Sequence, residues 1–217
     1  MAKVLVIRLS AIGDVAMTVP VIYSAAKANP EDSFTVLTQA FLMPLFMNRP
    51  PNVEVIGINT KGAEKGLIGL LKFISALLKF DFDVILDLHN VIRTIIICTF
   101  FRLNGKRVFV LDKARKERKR LTAIKGKRLY PLRPVIVRYA DVFRAAGLNY
   151  TETFTSLYEE SPAELSGMAS VAGIKKGKWI GVAPFAKHRG KIYPVDEMEQ
   201  VVAFQRSGLT FFNLFSS

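Results

Sequence analysis

The sequence is poor in the residues that disulfides, metal sites and proton relays draw on. It has one cysteine, Cys98, and two histidines, His89 and His188, among 217 residues. One cysteine excludes a disulfide within the chain, which fits a reducing cytoplasm. Its place in the apolar run 95–101 reads as a core position rather than a nucleophile. Two histidines so far apart give no ligand spacing for a metal. Signature motifs are missing as well. There is no glycine triplet of the dinucleotide-binding kind, no Walker loop, and no helix-turn-helix, zinc-finger or RNP pattern. Long apolar runs are few. Segment 66–80 is too short to span a bilayer and carries Lys72 and Lys79, while 84–103 contains Asp87, His89 and Arg93, each costly in lipid. The basic start runs straight into a Gly-Asp turn without a cleavage site, so no secretory signal is expected.

Acid is the other scarcity. Lysine and arginine number 31 against 18 acidic residues, a formal net charge of +13. The excess is local: between Lys106 and Arg138 stand thirteen basic residues against Asp112 and Glu117. Such a field implies an anionic partner, whether nucleic acid, acidic lipid headgroups or a phosphorylated substrate. Its densest part, Lys113, Arg115, Lys116, Arg118, Lys119 and Arg120, falls on nearly every face of a helix and lacks interleaved aromatics. That leaves a solvated loop and an anion-attracting surface both open. Half the residues are hydrophobic, enough for a sizeable core.

Apolar runs alternate with helical patterns. Strands are expected at 4–9, 34–38, 53–58, 84–88 and 107–111, and helices at 15–28, 41–47, 65–79, 91–103 and 135–146, the last closed by Gly147. This alternation predicts an α/β fold with a doubly wound parallel sheet. A polar helix opening at 159–162, a connector at 173–177, a strand at 179–184, a helix at 194–204 with Pro at its first position, and a strand at 209–214 form a second strand–helix–strand unit. The expected organisation is a first domain over 1–160, a linker over 161–177 and the start of a second domain over 178–217.

The first strand-to-helix turn is the most informative segment. It reads Arg8-Leu9-Ser10-Ala11-Ile12-Gly13-Asp14, and in an open α/β sheet such turns face the ligand crevice. Gly13 allows close backbone approach, and Ser10 and Gly13 shape a loop whose amides suit an anion. Asp14 at a helix N-terminus has two readings, a helix cap or a general base. Asp87, His89, Asn90 and Arg93 end the fourth expected strand at the same crevice, either as ligand contacts or as groups satisfying a helix start. His188, Arg189 and Lys191 lie in a basic loop that, on composition alone, is an ordinary solvated one.

These residues resemble glycosyltransferase family 9, the heptosyltransferases of bacterial lipopolysaccharide assembly. The run from Val4 to Ile22 is very like that family's N-terminal signature. Asp83 to Arg93, Val137 to Leu148, and Gly181 to Pro194 are similar to later segments. The resemblance implies a GT-B fold, with an acceptor-side first domain and a nucleotide-sugar-binding second one. It implies inverting transfer of a heptose from ADP-heptose to a lipid-linked core oligosaccharide, without metal or cofactor, at the cytoplasmic face of the inner membrane. Asp14 matches the base, and Lys191, with Arg189 and His188 beside it, matches the donor-phosphate contact. Ser10, Gly13, Asp87, His89, Asn90 and Arg93 become acceptor contacts, and the basic run becomes attraction to an anionic leaflet or acceptor. The family's Asp-Thr-Gly…His donor motif occurs nowhere in the sequence. The expectation is therefore a second domain only begun, and a chain inactive alone. A non-catalytic protein binding nucleic acid or acidic membrane is the alternative.

Overall fold

The computed structural model describes residues 1–62, 64–126, 129–159, 179–182, 186, 189–204 and 210–213. The chain divides into two compact units, Met1–Glu159 and Glu160–Ser217. The first is built on five parallel strands: β1 (Lys3–Ile7), β2 (Ser33–Gln39), β3 (Val53–Ile58), β4 (Val84–Asp87) and β5 (Arg107–Val110). Their order is β3-β2-β1-β4-β5. The chain therefore works outward from β1 on one side, then crosses to β4 on the other. The ends of β1 and β4 form the switch point, where an open α/β sheet leaves a crevice.

The central strand explains how the layers form. Val4 to Ile7 are wholly buried, and they alternate between two cores. Val4 and Val6 face Ile22 and Ala25 of α2 (Val19–Ala28) and Tyr139 and Phe143 of α6 (Val135–Ala145). Leu5 and Ile7 face Leu70, Ile74 and Leu77 of α3 (Gly66–Leu78) and Ile97, Cys98 and Phe101 of α4 (Ile92–Leu103). A strand covered on both faces needs an unbroken apolar run, which Val4–Ile7 supplies. Cys98 is a core residue, as expected. Burial, with the neighbouring Asp87 carboxylate, pushes its thiol up to about 12.

Three expected elements differ. The helix over 15–28 is two helices, α1 (Ile12–Ala16) and α2. Pro20 has no N–H to continue the first, so Thr18 turns the chain instead. The Thr18 hydroxyl donates to the Val15 carbonyl at 2.6 Å, and the Thr18 carbonyl accepts from Ile22 N at 2.9 Å. The segment after β2 is a 3-10 helix, Ala40–Phe46, with Pro44 inside it. The basic run contains a short helix, α5 (Arg115–Leu121), with no buried residue. Gly147 follows α6 at φ +84°, the left-handed stop expected of it.

In the second unit, β6 (Trp179–Val182) pairs in parallel with β7 (Thr210–Asn213), and α7 (Val195–Phe204) lies between them in sequence. Pro194 precedes α7 rather than beginning it, and its carbonyl accepts from Met198 N at 2.9 Å. The helix at 159–162, the linker 161–177 and its connector lie outside the described residues, apart from Glu159.

Two glycines separate packing from function. A Cβ on Gly57 would stand 2.6 Å from Met43 Sδ and 2.8 Å from Ala40 Cα, so backbone must move. One on Gly13 would meet nothing within 4 Å. Gly57→Ala is expected to cost about 1–3 kcal/mol of stability in urea unfolding. Gly13→Ala is expected to hold or raise the midpoint, because alanine favours a helix. Equal midpoints for Gly57→Ala and the unaltered protein would contradict this packing.

Candidate functional site

The site grows from the residue that ends the central strand. The Arg8 amide donates to the Leu37 carbonyl at 3.0 Å, continuing the ladder, and its side chain turns inward. The side chain is only 8% exposed. It donates from Nη1 to the Leu88 carbonyl at 2.7 Å and from Nη2 to Asp14 Oδ2 at 2.7 Å. It also lies 5.9 Å from the Tyr139 ring centroid. Its Nε and the Tyr139 hydroxyl are buried with no hydrogen-bond partner among the described residues.

Asp14 is the third residue of α1, not the cap expected of it, because the helix begins at Ile12. From there Oδ2 reaches back to the Ala11 amide at 3.4 Å as well as to Arg8, while Oδ1 makes no hydrogen bond among the described residues. The Asp14 side chain is 47% exposed. Asp14 thus helps to cap α1 from its third position and also lines the hollow described below. Gly13 sits on the exposed surface of the same turn and does not line the pocket described below.

The loop after β4 supplies the opposite wall. Asp87 is fully buried, and its Oδ1 accepts from the His89 and Asn90 amides, each at 2.8 Å. Asp87 thus shapes the loop and has no exposure to a ligand. Asn90 takes a left-handed conformation, φ +50°, and donates from Nδ2 to the Leu111 carbonyl at 3.0 Å. Arg93 points away, donating to the Glu64 carbonyl at 3.1 Å. Only His89 of these four lines the pocket. Its Nδ1 accepts from the Leu9 amide at 3.4 Å, which leaves the proton on Nε2, 3.4 Å from Ser10 Oγ. Burial, reinforced by Arg8 and Lys113, lowers its pKa to about 4, so the ring is neutral at pH 7.

Together these walls enclose a hollow of about 590 Å³. Arg8, Lys113, Arg118 and Arg138 line it, against one acid, Asp14. Burial, then Arg115 and Arg8, lowers the pKa of Lys113. Of the described residues of the run 113–128, only Lys113 and Arg118 reach this hollow, while Arg115, Lys116, Lys119 and Arg120 are exposed elsewhere on α5. Arg8, Arg138 and Tyr139 are members that sequence reasoning missed. Arg8 did carry a signal, as the first charge ending an otherwise apolar strand. A second hollow of about 410 Å³ shares Leu132 and Arg138 with the first.

Arg189 and Lys191 bound a 3-10 turn in the second unit, and His188 lies outside the described residues. Among the described residues, no group of three or more His, Cys, Asp or Glu could hold a metal, and no helix is long and apolar enough to cross a membrane.

No protein-family model matches the chain, and no curated protein sequence matches it. Solved structures do. A glycosyl transferase family 9 protein from Veillonella parvula superposes with a TM-score of 0.68 at 19% identity, over 97% of this chain and 62% of its own. The E. coli heptosyltransferase WaaC, solved with an ADP-2-deoxy-2-fluoro heptose, gives 0.64 at 16% identity, over 99% and 69%. The E. coli ADP-heptose lps heptosyltransferase II gives 0.58 at 19% identity, over 96% and 63%. The fold is GT-B. This GT-B chain spans about three fifths of the length of the Veillonella protein. The likeness agrees with the family resemblance of its N-terminal signature.

A neutral His89 in the folded state has a consequence for stability. Between its ordinary value of 6.5 and about 4, the unfolded chain binds a proton that the folded one does not. Stability from this group is thus fully present above pH 6.5 and falls as pH drops toward 4. Urea unfolding across that window should show a shallower acid loss in His89→Gln than in the unaltered chain. Parallel curves would mean that His89 is not held neutral.

Proposed function

We propose that the first unit is the acceptor side of an inverting glycosyltransferase of the heptosyltransferase kind, with Asp14 as its base. The observation that carries this reading is a half-exposed carboxylate fixed by a buried guanidinium at the switch point of a GT-B fold. Arg8 occupies Oδ2 and sets the plane of the carboxylate, leaving Oδ1 for the incoming hydroxyl. The acceptor oxygen attacks the anomeric carbon from the face opposite the diphosphate. As that carbon–oxygen bond forms, the bond to the leaving group breaks and the hydroxyl proton passes to Asp14.

The donor in this reading is ADP-heptose, which supplies the sugar as substrate, and no cofactor is needed. Lys191, Arg189 and His188 are proposed to meet its diphosphate, where fixed cations stabilise the growing negative charge. Lys113, Arg118 and Arg138 suit an acceptor bearing acid groups, as a lipid-linked core oligosaccharide would. Ser10 and His89 offer polar groups at the same wall, and Asn90 holds that wall in place. Arg115, Lys116, Lys119 and Arg120 are proposed to draw the protein to an anionic leaflet, on the cytoplasmic face of the inner membrane. The same exposed cations favour the second reading, a non-catalytic anion-binding protein.

The test is Asp14→Asn, which keeps an acceptor for Arg8. Binding of a deacylated inner-core saccharide, by calorimetry, should persist, while in any form of the protein that transfers from ADP-heptose the transfer should fall by about 10²–10⁴-fold. Undiminished transfer removes Asp14 from the mechanism. Failure of the unaltered chain to bind the saccharide, with tight and steeply salt-dependent binding to random DNA, establishes the second reading instead.

A further inference from the structure

Lys113 is a fixed amine without a counter-ion, and its backbone is pinned on both sides. The Leu111 amide donates to the Asp87 carbonyl at 2.8 Å. The Ala114 amide donates to Asp112 Oδ1 at 2.9 Å, closing an Asx turn with Lys113 at its centre. Arg138 secures the same turn, donating from Nη1 to the Asp112 carbonyl at 3.2 Å. Leu111 and Ala114 are buried, while Lys113 between them is half-buried and lines the hollow.

The carboxylates around it are engaged elsewhere. Asp14 Oδ2 is held by Arg8, Asp87 Oδ1 by two backbone amides, and Asp112 Oδ1 by the Ala114 amide. Lys113 forms no ion pair among the described residues, whereas Lys27 meets Glu159 at 2.7 Å and Lys106 meets Asp81 at 2.6 Å. The charges that face it are Arg115 and Arg8 on one side of the balance and Asp87 and Asp14 on the other. Burial, then the two arginines, lowers its pKa, so the neutral amine is more abundant than on an unperturbed lysine. The neutral form is the nucleophile, and desolvation beside other cations is one way to obtain it.

We propose that Lys113 is a modification site for acyl phosphates, small anionic acyl donors. Arg118 and Arg138 line the same hollow and draw in the phosphate end, which brings the acyl carbon to the amine. The Lys113 nitrogen forms a bond to the acyl carbon as the bond from that carbon to the phosphate oxygen breaks. The proton shed by nitrogen ends on the departing phosphate. The product is an uncharged amide, so the hollow keeps Arg8, Arg118 and Arg138 and loses its fourth cation. Acylation would therefore weaken the hold of the hollow on an anion, and it needs no sugar transfer to occur.

Mass spectrometry reads the modification residue by residue and without turnover. Lys116 and Lys119, exposed on α5 outside the hollow, are internal controls. The full chain is treated with acetyl phosphate and, in parallel, with a neutral acetyl donor, the N-hydroxysuccinimide ester. With acetyl phosphate, Lys113 should react about tenfold faster than either control. The neutral ester should show a much smaller preference, because the arginines do not gather it. Added inorganic phosphate, or Arg118→Gln, should slow Lys113 toward the rate of the controls, with circular dichroism checking that the variant is folded. In urea the preference should vanish. Reaction of Lys113 no faster than the controls overturns the proposal. So does an equal preference with the neutral ester, or a preference that phosphate leaves intact or that survives unfolding.

Discussion

The structure of the first unit depends on one buried charge. Arg8 closes the central strand, where an apolar residue would pack without cost, and its guanidinium sits almost out of water. Desolvating such an ion costs several kcal/mol unless its hydrogen bonds are met. Two are met, by the Leu88 carbonyl beyond β4 and the Asp14 carboxylate in α1, and the guanidinium also lies over the Tyr139 ring in α6, while Nε has no partner among the described residues. One side chain therefore fixes the relative position of a strand end, a short helix and a long helix. Asp14 is held where it is because Arg8 needs an anion there, and the same bond orients the carboxylate toward the hollow.

Around that pair, the polar groups divide between those that build the wall and those that face the open space. Asp87 and Asn90 build it, one accepting two backbone amides and the other tying the loop to Leu111. His89 faces the hollow as a neutral ring, because partial burial, and then two cations, suppress its protonation. Lys113, Arg118 and Arg138 are the remaining charges there. A neutral histidine beside one oriented carboxylate, under a canopy of cations, is suited to taking a proton from an oxygen while holding anionic groups nearby. It is poorly suited to redox or nucleophilic chemistry, and the lone thiol is buried against Asp87 with its pKa raised to about 12.

Much of the fold was legible from hydrophobic period alone. The strand at Val53–Ile58 falls where the pattern placed it, and the other four of the sheet agree within a residue or two at each end. What escaped was set by missing donors and by contacts distant in sequence. Pro20 and Pro44 break regular helix where apolar spacing continues unbroken. Asp87 looks like a ligand contact in sequence, and only its burial shows that its oxygens serve the backbone. Arg138 and Tyr139 sit on an ordinary amphipathic helix, and nothing in local pattern says that α6 returns to the end of β1. The basic run looked uniform, yet folding sends Lys113 and Arg118 into the hollow and leaves its neighbours outside.

The central claim is that an acceptor hydroxyl meets Asp14 beside Arg8. Nitrogen-15 NMR of the Arg8 Nε–H tests it most directly, because this group has no hydrogen-bond partner among the described residues and belongs to a side chain that lines the hollow. On titration with a deacylated inner-core saccharide, the Arg8 signal should shift in step with those of His89 and Lys113 and saturate with them. A saccharide that binds while all three signals stay fixed would place the acceptor elsewhere and leave Asp14 as a structural cap.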